Sequence, residues 1–559
     1  MNENYAQKAY AAYKKTAKKS FTQVTTAQLN VIYNILCRMK RDEEYRRAIE
    51  AFKTEEGDSI EALIEKYFTG YNARHGLDIK ENLIEFDNPD LAEGAYFIIE
   101  TYKKEGDTLT AWEPTEFIKG DVAHVVVSLY SHAEKKALTV PMLKYTSLSD
   151  DEVATSGNAL NASSIEFDVT LSREGWVKFK VTALDESEKI ILGSETAYGG
   201  ILFSWRDIHP TKMPPSDLVD FWNKEIDRLL NVDPTDTTPD GYVGNVVYEY
   251  DMPKENHYEL IKFDKSYIDM LREYGICNLG EELLEKFDFY ELNLKAPGPC
   301  HAATYLTVPK NAIAKSLPIR VTFDGYSAFP PVPEHSTEYI DIHCSHHGYK
   351  LPRPLKDYYQ VLRTGILENY GRGNGKVNSD YQDLHDNYIL YLQLRNLQTL
   401  RFVTDPALSG NITGLHESWN GEVAMFGGSM GGFQALTLGA LSTLLLKKSA
   451  PFKLISISAN IPAFCNLAGR TDGRVPTSLT SYEEGMEYFD PVHLVRLINV
   501  PVTVPRCGLG DETCPANGII AMFNTVPVGV KKEIRFLQNS NHGYIPEEDV
   551  QKWYKYIID

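Results

Sequence analysis

The stretch Glu422–Gln434 reads EVAMFGGSMGGFQ, a short apolar run that stops at a serine set among four glycines. Gly427-Gly428-Ser429-Met430-Gly431 fits G-x-S-x-G, and the apolar segment FQALTLGALSTLLL follows it. A strand, a tight turn and a helix in that order form the setting in which a serine hydroxyl is lifted clear of a sheet. Glycines on either side keep side chains out of a turn that would otherwise strike the helix or the strand. The helix amino terminus beneath the turn favours negative charge, which suits an oxyanion. The reading is a nucleophilic serine, with an ordinary Gly-rich turn as the structural alternative.

Outward from this elbow, strand-like segments alternate with helix-like ones: FYELNLKA, AATYLTVP, IRVTFDGY and EYIDIHCSH before it, KLISISAN, VPVTVPRCGLGD and KKEIRFLQN after it. That alternation predicts crossover units and a mostly parallel sheet covered by helices on both faces. Pro505 inside VPVTVPRCGLGD weakens the strand reading there, because proline gives no N–H to a ladder. Residues 106–205 change period to two, with DVAHVVVSLYS, SSIEFDVTLS and GWVKFKVTALD separated by polar turn residues. This predicts a small antiparallel sandwich, expected to pack on a neighbour or form an oligomer contact, with sugar binding as the alternative. Residues 1–105 read mainly as helix, with Leu29, Ile32, Tyr33, Leu36 and Met39 at three-to-four spacing and Thr26 as a cap. The Pro-rich connector WRDIHPTKMPP then opens a catalytic region over residues 206–559.

A serine needs a histidine to take its proton and a carboxylate to orient that histidine. In this architecture they follow the serine in the order acid, then base, on loops at strand ends. After Ser429 the sequence holds His493 and His542. His542 follows EIRFLQNSN and precedes a glycine, a loop position after a strand, and is read as the base. His493 lies in YFDPVHLVRLI, where a core or capping role fits better. Asp511, ending a strand and opening a turn, is read as the acid. Asp490 reads as a cap before Pro491, Asp472 sits in an irregular Gly-rich loop, and Glu512 points elsewhere if Asp511 faces the histidine. The oxyanion requires two backbone N–H groups. Met430, directly after the nucleophile, supplies one, and Tyr326 of FDGY, after Gly325, supplies the other, with an ordinary turn aromatic as the alternative for Tyr326.

Composition bounds the rest. At 559 residues, 43% hydrophobic and 24% charged, the chain exceeds one core and reads as two or three globular domains. A net charge of −20 argues against nucleic acid and anionic membrane partners. No stretch is apolar enough to span a bilayer. Seven cysteines without a CxxC pair and an amino terminus without an apolar core predict a cytoplasmic protein with reduced thiols, although a chain trimmed of its signal peptide would look the same. His343, His346 and His347, three histidines within five residues on a strand, alternate faces and lack a carboxylate partner, so no metal is expected. Tyr381 and Asp383 either line an entrance or belong to a solvated loop, and Cys465 reads as packing.

With these residues in hand, the chain resembles the acetyl xylan esterases and cephalosporin-C deacetylases, the seventh carbohydrate esterase family of the α/β-hydrolase superfamily. The likeness runs from GGILFSWRDIHPTKMPPSDLVDFW to the end and includes FDGY, GGSMGG, IPAFCNLAGR, YFDPVHLV, CGLGDETCPA and NSNHGY. The family's usual glutamine after the nucleophile is Met430 here, and DIHCSHHGYKL stands where an arginine-rich segment is usual. The resemblance implies an α/β-hydrolase with a mostly parallel central sheet, preceded by the helical segment and the sandwich. It implies a serine esterase that removes acetyl groups from acetylated oligosaccharides, works without a cofactor and forms homo-oligomers. A prolyl-type peptidase and a catalytically inert sugar-binding homologue are the competing readings. Because every proposed catalytic residue lies beyond residue 205, a chain starting near Arg206 is expected to keep small-ester turnover.

Overall fold

Eight buried residues in a row, Phe287–Leu294, form the strand β10 beside the equally buried β11 (Ala302–Pro309). Strands with both faces covered belong inside a helix-flanked sheet. In a computed structural model describing residues 10, 12–14, 26–51, 57–75, 78–83, 94–132, 135–191, 196–239, 256–273, 279–298, 300–326, 332–345 and 383–559, they belong to a ten-stranded sheet. Its other strands are β9 (Glu259–Lys262), β12 (Leu317–Phe323), β13 (Ile340–Cys344), β14 (Trp419–Gly428), β15 (Lys453–Asn460), β16 (Val502–Gly508), β17 (Lys532–Leu537) and β18 (Trp553–Ile558). The order is β18-β17-β16-β15-β14-β12-β13-β11-β10-β9. From β13 through β12, β14 and β15 to β16 the neighbours run parallel, while β11 pairs antiparallel with both β10 and β13. This is an α/β-hydrolase sheet. β16 runs through Pro505, and its register with β15 pairs Val502 and Thr503, ahead of the proline that has no N–H to give.

The chain divides into two compact units, one made of Met1–Trp205, Gly508–Glu512 and Phe536–Tyr554, the other of the remainder. In the second unit, two helices carry the interior of the sheet's flank. One spans Tyr388–Thr404 and the other Met430–Leu445, the latter buried on nearly every side because its sequence is apolar all round.

In the first unit, the helices Thr26–Arg41, Glu43–Glu50 and Ile60–His75 share a core of Leu29, Ile32, Leu36, Met39, Ile64 and Phe68. Two antiparallel four-stranded sheets follow, one in the order β2 (Thr108–Ala111), β1 (Ala95–Glu105), β3 (Val122–Ser131), β6 (Ser164–Thr170), the other in the order β5 (Ala154–Ala162), β4 (Val140–Ser149), β7 (Gly175–Leu184), β8 (Ala197–Phe203). They begin at Ala95, ahead of the residue 106 read from the change of period, because AYFIIE already pairs with β3 (Val122–Ser131) over its full length. β3 alternates half-buried and buried residues along its whole length, and the two sheets share one apolar core. Within the second sheet, β7 (Gly175–Leu184) pairs with the last strand, β8 (Ala197–Phe203). Among the described residues no helix is long and apolar enough to cross a membrane.

Candidate active site

Ser429 stands between β14 and the helix that starts at Met430, with φ 58° and ψ −118°. A non-glycine residue in this region costs about 1–3 kcal/mol and persists only where its surroundings hold it. Those surroundings are specific. Ser429 N–H donates to Asn460 O at 2.9 Å, and its carbonyl accepts from Phe433 N and Ala463 N, both at 3.0 Å. A Cβ on Gly427 would lie 2.2 Å from Gly431 O, and one on Gly431 would lie 2.1 Å from Phe323 O. Any side chain at either position would push the elbow open, and the half-buried serine keeps one face toward solvent.

β12 ends at Phe323 and leads into Asp324-Gly325-Tyr326. A Cβ on Gly325 would sit 3.5 Å from Gly428 O and 3.6 Å from Ser429 Cβ, so this loop passes directly against the elbow. Met430 is buried at the first position of its helix, where an N–H has no intrahelical acceptor. Two polar residues that the sequence reading passed over tie these parts together. Gln434 donates to Asp324 O at 3.3 Å and Met430 O at 3.2 Å, and Asn396 on the neighbouring helix donates to Gln434 Oε1 at 2.9 Å. Gln434 carries a signal, an amide inside an otherwise apolar helix where an unpaired polar group would be costly, whereas Asn396 stands among the glutamines and arginines of its own helix.

A charged cluster lies behind the same loop. His343 Nδ1 donates to Val332 O at 2.6 Å, and Nε2 lies 3.1 Å from Asp324 Oδ1. Arg320 meets Asp341 at 2.6 Å and Glu334 at 3.4 Å. Burial by itself lowers the affinity of His343 for a proton, but the Asp324 and Glu334 carboxylates and the Val332 carbonyl outweigh it and raise the pKa to about 9. The imidazolium offsets the Asp324 carboxylate beside Gly325. His343 thus has a carboxylate partner, Asp324, where the sequence reading finds none for it. His346, His347 and Tyr381 lie outside the described residues.

The acid turn and the base loop belong to the first unit. Asp511 is fully buried, His542 is partly exposed, and His542 Nδ1 lies 3.0 Å from Asp511 Oδ2. The carboxylate accepts the Nδ1 proton, which leaves Nε2 as the acceptor nitrogen. Asn541 Oδ1 accepts from Gly543 N at 3.0 Å and Tyr544 N at 2.7 Å, so the run NSNHGY wraps the imidazole in an Asx-type turn. Glu512 faces away and meets Lys178 at 2.7 Å.

The other candidates occupy structural roles. His493 is buried against Glu487. Asp490, pushed up to about 6 by burial, caps Val492 N at 2.9 Å and accepts from Asn466 and Leu467. Asp472 is exposed, 3.9 Å from Arg474. Asp383 accepts from His385 N at 3.0 Å within a turn. The Cys465 thiol, raised well above its usual range by burial, makes long contacts with the Pro462 and Ala463 carbonyls.

Residues 475–559 match the family model for acetyl xylan esterase (AXE1), a segment that contains both Asp511 and His542. No curated protein matches the chain. Among solved structures, it is similar to an acetyl xylan esterase from a Paenibacillus species at 16% identity, covering 61% of this chain and 94% of that one, with a TM-score of 0.41. It is also similar to acetyl xylan esterase 1 from a Thermoanaerobacterium species at 15% identity, covering 62% and 93%, with a TM-score of 0.38.

Proposed function

We propose that this chain, a carboxylic ester hydrolase of the acetyl xylan esterase type on an α/β-hydrolase fold, uses Ser429, His542 and Asp511 to remove acetyl groups from sugar hydroxyls. The observation that carries the reading is Ser429 held at positive φ between strand and helix, with the Gly325 loop against it. The His542–Asp511 pair and the family match around it support the same assignment.

In this mechanism Ser429 Oγ attacks the acetyl carbonyl while His542 Nε2 takes its proton. The oxyanion accepts hydrogen bonds from Met430 N–H and Tyr326 N–H. Collapse expels the sugar alkoxide, which takes the proton back from His542. Water then attacks the acetyl-enzyme, His542 again serving as base, and acetate leaves with Ser429 restored. Asp511 accepts the hydrogen bond from Nδ1–H and so fixes the tautomer that leaves Nε2 to act as the base. The residues call for no cofactor. Acetylated xylo-oligosaccharides are the proposed substrates, with the acetyl ester of cephalosporin C as a further one.

Two measurements test the reading. A fluorophosphonate probe should label the full chain at Ser429, and an unlabelled protein would indicate an inert homologue. Activity should fall steeply from acetyl to butyryl p-nitrophenyl esters, because overfilling a pocket built for acetate is costly. A preference for octanoyl esters would point to lipase-like chemistry instead.

A further inference from the structure

Leu509 and Gly510 immediately precede the acid, and Gln538 and Asn539 lead into the base loop. The two segments bond to each other through Leu509 N–H to Leu537 O and Gly510 N–H to Ser540 O, both at 3.0 Å, and the sandwich supplies a second set of partners. Trp176 Nε1 on β7 donates to Leu509 O at 2.9 Å, with both residues fully buried. Gly200 N on β8 donates to Gln538 Oε1 at 3.1 Å, and Gln538 Nε2 donates back to Gly200 O at 3.0 Å. Tyr198 N donates to Asn539 Oδ1 at 3.0 Å, and Asn539 Nδ2 reaches Phe97 O of β1 (Ala95–Glu105) at 3.2 Å. Two glycines make the approach possible. A Cβ on Gly200 would lie 2.2 Å from Leu509 O and 2.4 Å from Trp176 Nε1, and one on Gly510 would lie 2.4 Å from the Tyr198 carbonyl carbon.

These bonds converge on the two segments that carry the acid and the base. Main-chain groups of β8 read the side-chain amides of Gln538 and Asn539, while the indole of Trp176 reads the carbonyl two residues before Asp511. Sheet packing alone would need only apolar contact here. Paired donors and acceptors, buried in every case but the part-buried Tyr198–Asn539 bond, fix direction as well as distance.

We infer that the last sheet of the amino-terminal sandwich sets the geometry of the Asp511–His542 pair, with Trp176, Gly200 and Gln538 as positioning residues. The inference rests on the esterase reading for its effect on rate. Its structural content, that the acid–base hydrogen bond depends on the sandwich, stands apart from it. A displacement on the order of 1 Å in a reacting group costs about 10²-fold in rate.

The test uses the full-length chain with Trp176→Phe, which keeps the ring and removes the N–H, and with Gly200→Ala. The readouts are kcat and KM on p-nitrophenyl acetate and the low-field proton resonance of His542 Nδ1–H, identified by its loss in His542→Gln. Trp176→Phe should lower kcat about 10- to 100-fold with KM nearly unchanged, and should shift or broaden the resonance. Gly200→Ala should do more of both. If Trp176→Phe does not fold, Gln538→Met, which removes the amide at similar size, carries the same expectations. Wild-type kcat together with an unmoved resonance, even with a lowered melting temperature, overturns the inference. Should Ser429→Ala keep its activity, the esterase reading fails, and the resonance alone then decides whether the sandwich positions the pair.

Discussion

Ser429 and the Asp511–His542 pair are supported by different kinds of neighbour. The serine is pinned by main-chain bonds to Asn460, Ala463 and Phe433 and by the steric need for Gly427 and Gly431. These partners follow within a few tens of residues, and the glycines are visible in the motif itself. The acid and base loops are instead gripped by Trp176, Tyr198 and Gly200, with sequence separations of 333, 341 and 338 residues in the three pairs. A local element can announce itself in a short motif. An element positioned from afar cannot, since its partners are chiefly main-chain atoms that any sequence provides.

The largest effect expected from breaking either side of this contrast is at the serine. Ser429→Ala should lower kcat on p-nitrophenyl acetate by a factor of about 10⁶ while leaving the circular dichroism spectrum unchanged. Activity within tenfold of wild type would remove the serine from the chemistry, and with it the local half of the comparison.

Next in size is removal of residues 1–205. From the order of motifs alone, a chain starting at Arg206 keeps small-ester turnover. The contacts around Leu509, Gln538 and Asn539 point the other way, because the truncation deletes every partner on β1, β7 and β8. It also strips cover from Trp176's acceptor and from Gln538, leaving buried polar groups to re-solvate. The truncated chain should lose at least about 100-fold in kcat even where it stays soluble. Turnover within tenfold of the full chain would show that the base loop holds itself.

This contrast also accounts for what could be read in the sequence. AATYLTVP and KLISISAN coincide with β11 and β15 because continuous β-branched and apolar runs bounded by turn residues have few alternatives. GGSMGG gave the elbow through its glycines. Trp176 in GWVKFKV reads as one more core aromatic, and nothing in those letters names a carbonyl far along the chain as its acceptor. Gln434 is hidden for a related reason: an amide within an apolar helix declares that it has a partner without saying which, and that partner, Asn396, is one of several polar residues in its own helix. His343 reads first as part of a histidine cluster, and its pairing with Asp324 depends on β12 and β13 lying side by side.

His343 gives a smaller effect with a definite pH sign. Its pKa in the folded chain, about 9, lies above the roughly 6.5 of an unfolded histidine. Folding therefore retains a proton that the unfolded chain gives up between these values. The stabilisation is complete below about pH 6.5 and is lost as pH rises toward and through 9. The charged groups around it are Asp324 and Glu334, with Asp341 on its own strand and Asp341's partner Arg320 on the adjoining β12. Wild-type melting temperature should fall across pH 6.5–9 more steeply than that of His343→Gln. Parallel curves for the two proteins would mean that the imidazole is neutral, and that Asp324 beside Gly325 is balanced by something else.

The smallest effect separates buried support from surface support at the acid turn. Lys178 on β7 meets Glu512, next to Asp511, at 2.7 Å, with side chains 21% and 64% exposed. The hydrogen bond to Lys178 lowers the Glu512 pKa, so the pair's contribution is present above the unfolded carboxylate range and is lost as pH falls through the folded value. An exposed pair of this kind is worth about 0–1 kcal/mol and is screened by salt. The neutral Trp176–Leu509 bond is neither exposed nor salt-sensitive. If the acid turn is held from the buried side, Lys178→Gln should leave kcat within about twofold at neutral pH, at both low and high ionic strength. A tenfold, salt-sensitive loss would transfer the positioning of Asp511 from the indole to the surface charges. The sandwich would then still hold the turn, but through a contact that salt could loosen.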